Sequence, residues 1–204
     1  FRNGEADILI GTQMIVKGHD FPNVTLVAAL AADMSLYAGD YRSSERTFEL
    51  LMQASGRAGR AEKAGEVVIQ TYNPEEYSIQ AVAGQDAEYF YENELAFRRL
   101  MKYPPYSQMA AILILSEEEN EAKTLSEKLA ENIHSVCGDA VTLIGPSKAG
   151  LSRAKDRYRY VLYVKSMDEE AMACVREIAE EANRRVVNQK TCSVQYDRDP
   201  VNGY

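Results

Sequence analysis

Residues 42–60 are RSSERTFELLMQASGRAGR, a segment with an apolar stripe that runs directly into a loop rich in glycine and arginine. Its Phe48, Leu51, Met52 and Ser55 recur at helical spacing, and the residues from Arg42 onward are typical of a helix start. Apolar runs at 24–30 and 67–71 flank this helix and predict strands, and a run at 6–11 predicts another. This order of elements indicates an α/β fold.

The loop at 53–60 presents two arginines, Arg57 and Arg60, three residues apart and separated by small residues. Glycine lets a backbone approach a ligand closely, and a guanidinium group stays charged while it matches phosphate oxygens two at a time. The pattern therefore favours a site for one polyanion. A solvated basic loop is the alternative, because short motifs of this kind also occur by chance.

A second polar segment, GTQMIVKGHDFP at residues 11–22, follows the first predicted strand. Open α/β sheets bind ligands at the carboxyl ends of their strands, so the Thr12 hydroxyl and the nearby amides are candidates for such a site. Gly18 gives the chain the freedom to place Asp20 toward a ribose or a basic partner. The alternative is an ordinary turn capped by an aspartate.

The chain changes character at Tyr103-Pro104-Pro105-Tyr106, because two prolines cannot continue a helix. Residues 74–103 before them have a helical, amphipathic pattern, and the elements after them follow in the order βαββαβ, typical of a ferredoxin-like unit. We predict an α/β domain at 1–73, a helical linker at 74–107 and an α+β domain at 108–204. The last has predicted strands at 108–115, 141–145, 158–165 and 191–197 and helices at 118–136 and 168–187.

A basic segment lies within this acidic chain, whose formal net charge is −8. Residues 147–165, the basic island, contain one acid, Asp156, and are predicted to form a loop and the start of the next strand. Basic side chains neutralise phosphates, and Tyr158 and Tyr160 offer faces on which bases stack. The alternative places both tyrosines in the core and the bases on a solvated loop. The bases of the island are Lys148, Arg153, Lys155, Arg157, Arg159 and Lys165.

Composition excludes several classes of protein. With 46% hydrophobic and 26% charged residues, the chain is neither disordered nor of low complexity. Because no apolar run is long enough to cross a membrane and the N-terminus does not resemble a signal peptide, we expect a cytoplasmic protein. Cys137, Cys174 and Cys192 are too scattered for a disulfide framework or a zinc site, which predicts free thiols or small core residues.

Three stretches together resemble a known family: GTQMIVKGHDFPNVTLV (11–27), DYRSSERTFELLMQASGRAGRAEKAGEVVIQT (40–71) and ENELAFRRLMKYPPYS (92–107). They are similar to the bacterial replication-restart DNA helicases of superfamily 2, in which the first two contain motifs V and VI. The resemblance continues more loosely to the end of the chain. It implies part of a RecA-like helicase lobe 2, followed by an α+β ferredoxin-like C-terminal domain that contributes to DNA binding at branched forks.

The resemblance implies catalytic roles for three residues and nucleotide-binding roles for two. Arg60 corresponds to the arginine finger aimed at the γ-phosphate, with Arg57 as its partner and Gln53 linking both to the nucleotide or the first lobe. Gly18 and Asp20 would hold the ribose or the finger.

It also implies DNA contacts from the segment around motif V, where Thr12 and Gln13 would touch the backbone of the tracked strand and Lys17 would lie nearby. The bases of the island that we expect to contact DNA are Lys148, Arg153, Lys155, Arg157 and Arg159.

The sequence contains no GxxxxGK[ST] phosphate loop, and its one Asp-Glu dipeptide, Asp168-Glu169, lies in the second domain, so we expect no DExx box of an ATP site. We therefore expect a C-terminal fragment of an ATP-dependent 3′→5′ DNA helicase that is inactive alone. ATP and Mg²⁺ would belong to the full-length enzyme and zinc to an absent upstream region, with no metal or cofactor bound here. The implied partners are branched or single-stranded DNA, primosome proteins and single-stranded DNA-binding protein, whose acidic tail the run Asp168-Glu169-Glu170 would repel; no membrane is implied.

Two other classes fit part of the sequence. Another superfamily 2 motor, such as a branch-migration or RNA helicase, would share the arginine motif, although KGHDFP and DYRSSER favour the restart family. A noncatalytic nucleic-acid or protein-interaction module could retain a degenerate lobe, and the intact Gln53, Arg57 and Arg60 count against that class.

Overall fold

Strands and amphipathic helices alternate along most of the chain as the sequence predicts. The computed structural model describes residues 1, 5–12, 23–37, 39–59, 65–186, 191–201 and 203–204. The chain divides into two units, Phe1–Ala96 and Phe97–Tyr204.

A parallel pair of short strands is the centre of the first unit. The strands pair from Leu26 opposite Glu66 to Ala29 opposite Ile69, and a helix connects them, as parallel pairing requires. This confirms the predicted α/β order over residues 24–71. The elements are β1 (Leu26–Ala29), a 3₁₀ turn (Ala32–Ser35), α1 (Ser43–Ser55), β2 (Glu66–Ile69), α2 (Tyr77–Gly84) and α3 (Ala87–Met101), whose last residues belong to the second unit.

The core of the first unit forms where α1, α2 and the start of α3 pack together. Phe48 and Phe90 are both buried, and their rings stack with centroids 4.1 Å apart. Ile79 and Val82 of α2 belong to the same cluster. The segment 74–107, for which we predicted a helical linker, therefore supplies core residues to the first unit, and the division of the chain falls inside it.

Residues 74–103 are helical as predicted, but they form two helices, and the break between them was not predicted. Gln85 ends α2 in the left-handed region with a φ of 51°, and the Asp86 carboxylate accepts a hydrogen bond from the Tyr89 amide at 2.9 Å. At the start of α2, the Glu76 carboxylate accepts hydrogen bonds from the amides of Ser78 and Ile79 at 2.8 and 3.2 Å. A single left-handed residue interrupts the helix without disturbing the apolar periodicity, so the pattern alone does not predict the break.

The strand predicted at 6–11 is not formed. These residues have no regular structure, and Ile8 and Ile10 are 77% and 88% exposed. An apolar run becomes a strand only when a neighbouring strand supplies hydrogen-bond partners, and among the described residues no strand pairs with it. The prediction was wrong because it considered the run without a pairing strand.

The second unit has the predicted βαββαβ order. Its four strands form one sheet in the order β4-β5-β3-β6 with every neighbouring pair antiparallel, which is the ferredoxin-like arrangement. Both helices connect strands of this sheet. The elements are β3 (Gln108–Ser116), α4 (Glu119–Cys137), a 3₁₀ turn (Gly138–Ala140), β4 (Thr142–Ala154), β5 (Arg157–Ser166), α5 (Glu169–Arg185) and β6 (Cys192–Arg198).

The two faces of this sheet differ. On the helix face, Ile112 and Leu162 pack with side chains of α4 and α5 in the main core. On the opposite face, which we name the open face, Leu113 and Val161 form a smaller apolar cluster that includes Tyr204. The Tyr204 carbonyl accepts a hydrogen bond from the Gly150 amide at 2.8 Å, so the last residues lie against the edge strand β4.

No helix in the described part of the chain is long and apolar enough to cross a membrane. Over the same residues, no group of three or more histidine, cysteine or acidic side chains could hold a metal ion.

Candidate functional site

The arginine-rich loop begins where α1 ends. Gln53 lies exposed in the last turn of α1, and the amide of Arg57 donates a hydrogen bond to the Ala54 carbonyl at 3.0 Å. Arg57 is half-buried just beyond the helix C-terminus, where the negative end of the helix dipole favours a guanidinium group. The structure thus places Gln53 and Arg57 at one helix end; Arg60 lies outside the described residues.

Two glycines hold this loop against the sheet. The Gly59 amide donates a hydrogen bond to the Val24 carbonyl at 3.1 Å, which ties the loop to the chain just before β1. Gly65 lies so close that a Cβ added there would stand 2.2 Å from the Gly59 nitrogen. Only glycine fits at position 65, because the atoms that it meets are backbone atoms that cannot rotate away.

Replacing Gly65 with alanine should therefore displace the arginine loop. We expect Gly65→Ala to lower the free energy of unfolding by about 1–3 kcal/mol, the usual cost of overpacking. Gly56→Ala is the matched control, because its Cβ would meet the Met52 carbonyl at an ordinary 3.5 Å. Urea unfolding followed by circular dichroism compares the two. Equal midpoints for both variants would show that the loop does not need a glycine at position 65.

The motif V segment is only partly described. Thr12 is exposed and has no regular structure. The other predicted ligand-contacting residues of this segment lie outside the described residues: Gln13, Lys17, Gly18 and Asp20. Their roles stay predictions.

Two ion pairs form within the DYRSSER segment at residues 40–46. The Arg42 guanidinium donates to Glu45 at 2.9 Å, and Arg46 pairs with Asp40. The Asp40 carboxylate also accepts a hydrogen bond from the Arg42 amide at 2.9 Å, just before α1 begins. These contacts fix the start of the helix whose far end bears Arg57.

A buried acid that sequence reasoning missed lies at the carboxyl ends of both parallel strands. Asp33 is 4% exposed and accepts hydrogen bonds from the Thr71 hydroxyl at 2.6 Å and the Tyr72 amide at 2.9 Å. These two hydrogen bonds hold the pKa of Asp33 below its ordinary value, and the bond from Thr71 has the larger effect. One signal in the sequence could have indicated this site: a polar residue, Asp33 or Thr71, follows each of the two apolar strands within a few residues.

This lowered pKa makes a prediction about acid stability. A carboxylate with a depressed pKa stabilises the folded state above its unfolded pKa of about 3.9, and that stabilisation is lost as the pH falls through the folded value. Asp33→Asn should be less stable than the parent chain at neutral pH, and the difference should shrink as the solution is acidified. Urea midpoints measured from pH 7 downward test this. Asp156→Asn, at a side chain that is 96% exposed, is the control, and a difference for Asp33→Asn that is constant with pH would contradict the assignment.

The basic island is a β-hairpin, which corrects the prediction of a loop between the middle strands. β4 continues to Ala154, and a two-residue turn, Lys155 and Asp156 with φ of 51° and 59°, leads directly into β5. The pairing register shifts between Ile144 and Ser147 and again between Lys148 and Arg153. These irregularities break the alternation that would have identified the strand from sequence.

The bases of the hairpin do not share one surface. Lys148 contacts Glu119 at the start of α4 with 2.5 Å between Nζ and Oε1, and Arg153 lies over the Tyr158 ring at 5.2 Å from its centroid. Arg157 and Arg159 alternate with the tyrosines and so lie on the open face. The hydrogen bond from Lys148 to Glu119 raises the pKa of the lysine and lowers that of the carboxyl group.

The tyrosines of the island belong to the helix face. Tyr160 is 8% exposed within the main core, and Tyr158 is half-buried against the same cluster. Tyr160 therefore offers no face for stacking, as the core alternative predicted. Tyr163 is the tyrosine of β5 on the open face, where its hydroxyl accepts a hydrogen bond from the Tyr204 amide at 3.0 Å.

The acidic run Asp168-Glu169-Glu170, which we expect to repel the acidic tail of single-stranded DNA-binding protein, forms the start of a helix. The Asp168 carboxylate accepts hydrogen bonds from the amides of Glu170 and Ala171 at 2.9 and 3.4 Å. Asp168 thus begins α5, and Glu169 and Glu170 occupy its first turn, where the helix dipole favours acids.

Comparison with known families agrees with this architecture. Residues 1–62 match the helicase conserved C-terminal domain, and residues 99–201 match the primosomal protein N C-terminal domain. The first unit thus contains a helicase-family C-terminal region.

The chain belongs to the PriA family of replication restart proteins. It is 46% identical over 200 residues to the replication restart protein PriA of Bacillus subtilis, covering 98% of this chain and 25% of the relative. It is 42% identical to PriA of Synechocystis, and the match covers 81% of this chain and 20% of that relative. It is 34% identical to PriA of Chlamydia trachomatis, and the match covers 98% of this chain and 26% of that relative. The chain therefore spans a fifth to about a quarter of the length of these curated relatives.

Proposed function

We propose that this chain acts in replication restart as part of an ATP-dependent 3′→5′ DNA helicase that recognises stalled or branched forks and initiates primosome assembly in the cytoplasm. The observation that carries the proposal is 46% identity across 98% of the chain to a replication restart protein. The order of the two matched domains, helicase first and primosomal second, supports it.

Within such an enzyme the arginine loop serves ATP hydrolysis. The described residues offer one guanidinium group and one amide, from Arg57 and Gln53, at the end of α1. This set fits the outer oxygens of a terminal phosphate, and the chain has no phosphate loop for the rest of the nucleotide. Arg60 and Arg57 stabilise negative charge on the transferred phosphoryl group, and Gln53 positions them. Gly18 and Asp20 hold the ribose or the finger. By itself the chain does not hydrolyse ATP.

DNA binding is divided between the two units. Thr12, Gln13 and Lys17 contact the tracked strand from the motif V segment, and the hairpin of the second unit contacts fork phosphates. Primosome proteins bind the assembled enzyme, and single-stranded DNA-binding protein is a further partner. The hairpin bases that act on DNA are Lys148, Arg153, Lys155, Arg157 and Arg159.

Fluorescence anisotropy with a labelled replication fork and an RNA duplex of equal length tests the proposed substrate. We expect tighter binding to the fork, because a restart helicase must recognise a branch that the duplex does not contain. Equal affinity for both would favour an RNA helicase or a nonspecific binding module.

A further inference from the structure

Tyr204 is held on the open face of the second unit at three points. Its amide donates a hydrogen bond to the Tyr163 hydroxyl on β5 at 3.0 Å, and its carbonyl accepts one from the Gly150 amide on β4 at 2.8 Å. Its own hydroxyl donates to the Asp197 carboxylate on β6, with 2.5 Å between the two oxygens. These contacts fix both the backbone and the ring of this tyrosine.

The strand order shows where the ring lies. β3 stands between β5 and β6, and Tyr163, Ala111 and Asp197 form one row across these three strands. A side chain that runs from Tyr163 to Asp197 therefore crosses β3 above Ala111. Ala111 is 0% exposed although it lies on the face opposite the helices, in the cluster against which Tyr204 packs. One face of the ring thus covers the sheet, and because Tyr204 is only half-buried, the outer face remains accessible to solvent.

The charge around this ring is positive. Side chains alternate along a strand, so β3, β5 and β6, which the structure describes in full, direct one acid, Asp197, and three bases to the open face. The Asp197 carboxylate is already engaged by Tyr204. Burial, and then the hydrogen bond to Asp197, raise the pKa of Tyr204 to about 12, so its hydroxyl is uncharged at neutral pH. A rigid, uncharged aromatic ring therefore shares this face with basic side chains. The three bases are Arg157, Arg159 and Lys165.

We propose that the open face binds single-stranded DNA, with one base stacked on the ring of Tyr204 and phosphates neutralised by Arg157 and Arg159. Four-stranded sheets bind unpaired nucleic-acid strands by stacking bases on aromatic side chains, and such stacking is tolerant of sequence because every base has a face. In a double helix the neighbouring bases cover both faces of each base, which excludes a duplex from the ring. This inference rests on the proposed function, because it takes DNA binding by the hairpin as given and adds the kind of strand and the residue that selects it.

The test is fluorescence anisotropy of the whole chain with a labelled oligothymidylate and with its blunt duplex with oligoadenylate. Tyr204→Leu keeps an apolar side chain over Ala111 but removes the aromatic face. We expect it to weaken binding of the single strand by about 5–150-fold, the effect of losing one stacked base, and to leave binding of the duplex unchanged. Tyr204→Phe is the matched control, since it keeps the ring and loses only the hydrogen bond to Asp197, and it should bind the single strand nearly as tightly as the parent chain.

Equal affinity of Tyr204→Leu and Tyr204→Phe for the single strand would overturn the proposal. An equal loss of affinity for both nucleic acids in Tyr204→Leu would also overturn it, because the substitution would then act through the fold, which the thermal midpoint of each variant checks. Tighter binding of oligouridylate than of oligothymidylate by the parent chain would assign the ring to RNA instead. Failure of the proposed function has a different signature, since a parent chain that binds neither the single strand nor the duplex would remove DNA binding by the hairpin altogether.

Discussion

Replacing Arg60 with alanine in the full-length helicase is expected to lower its rate of ATP hydrolysis by on the order of 10³–10⁵-fold, the effect of losing an arginine finger. The guanidinium group neutralises charge that develops only as the phosphoryl group transfers. The loss should therefore fall on the turnover rate and leave nucleotide affinity nearly unchanged.

Two further variants sharpen this test. Arg60→Lys should recover little activity, because an ammonium group is a point charge and does not match two phosphate oxygens at once. Arg176→Ala is the control, since the side chain of that arginine is exposed on α5 and pairs with Glu180. Turnover of Arg60→Ala within tenfold of the parent enzyme would remove Arg60 from the hydrolytic step.

The next largest effect is expected in the core of the second unit. Leu162 is fully buried at the centre of the sheet, where it pairs with Ile112 on β3. Leu162→Ala should lower the free energy of unfolding by about 2–5 kcal/mol, because it removes buried methyl groups and leaves a cavity.

Leu151 supplies the matched control for that substitution. It lies in the neighbouring strand β4 but is 60% exposed. Leu151→Ala should shift the free energy of unfolding by no more than about 0.5 kcal/mol, as is usual for surface changes. Urea unfolding compares the two variants, and similar losses at both positions would mean that the helix face does not form the main core.

The second unit could be predicted from sequence because each of its elements has a local signal. Pro104 and Pro105 separate α3 from β3, and the apolar patterns of β3, α4, β5, α5 and β6 are long enough to identify helix or strand. The extent of β4 could not be predicted, because its register shifts near Ser147 and Arg153 break the alternation. A hairpin with two left-handed residues also has no distinctive sequence when those residues are Lys155 and Asp156.

In the first unit, the features that sequence reasoning missed depend on distant contacts. Asp33 is buried only because Thr71 and Tyr72, 38 and 39 residues later, supply hydrogen bonds at the end of the neighbouring strand. The run at 6–11 shows the converse, since it is apolar enough for a strand but has no pairing strand among the described residues. The position of Arg57 just beyond a helix end could be predicted because its motif is local to that end, whereas its role stays a prediction.

Binding to a labelled replication fork across a salt series, by fluorescence anisotropy, tests the central claim most directly. The parent chain is compared with a variant that carries Glu at Arg153, Lys155, Arg157 and Arg159. The control reverses four bases of the helical layer, Lys128, Arg176, Arg184 and Arg185. We expect salt-sensitive binding by the parent and the control. In the hairpin variant, the slope of the logarithm of the binding constant against the logarithm of the salt concentration should fall in magnitude by about one for each phosphate that its side chains no longer neutralise. Binding that is absent in the parent, or equal in both variants, would contradict the assignment of fork binding to the hairpin.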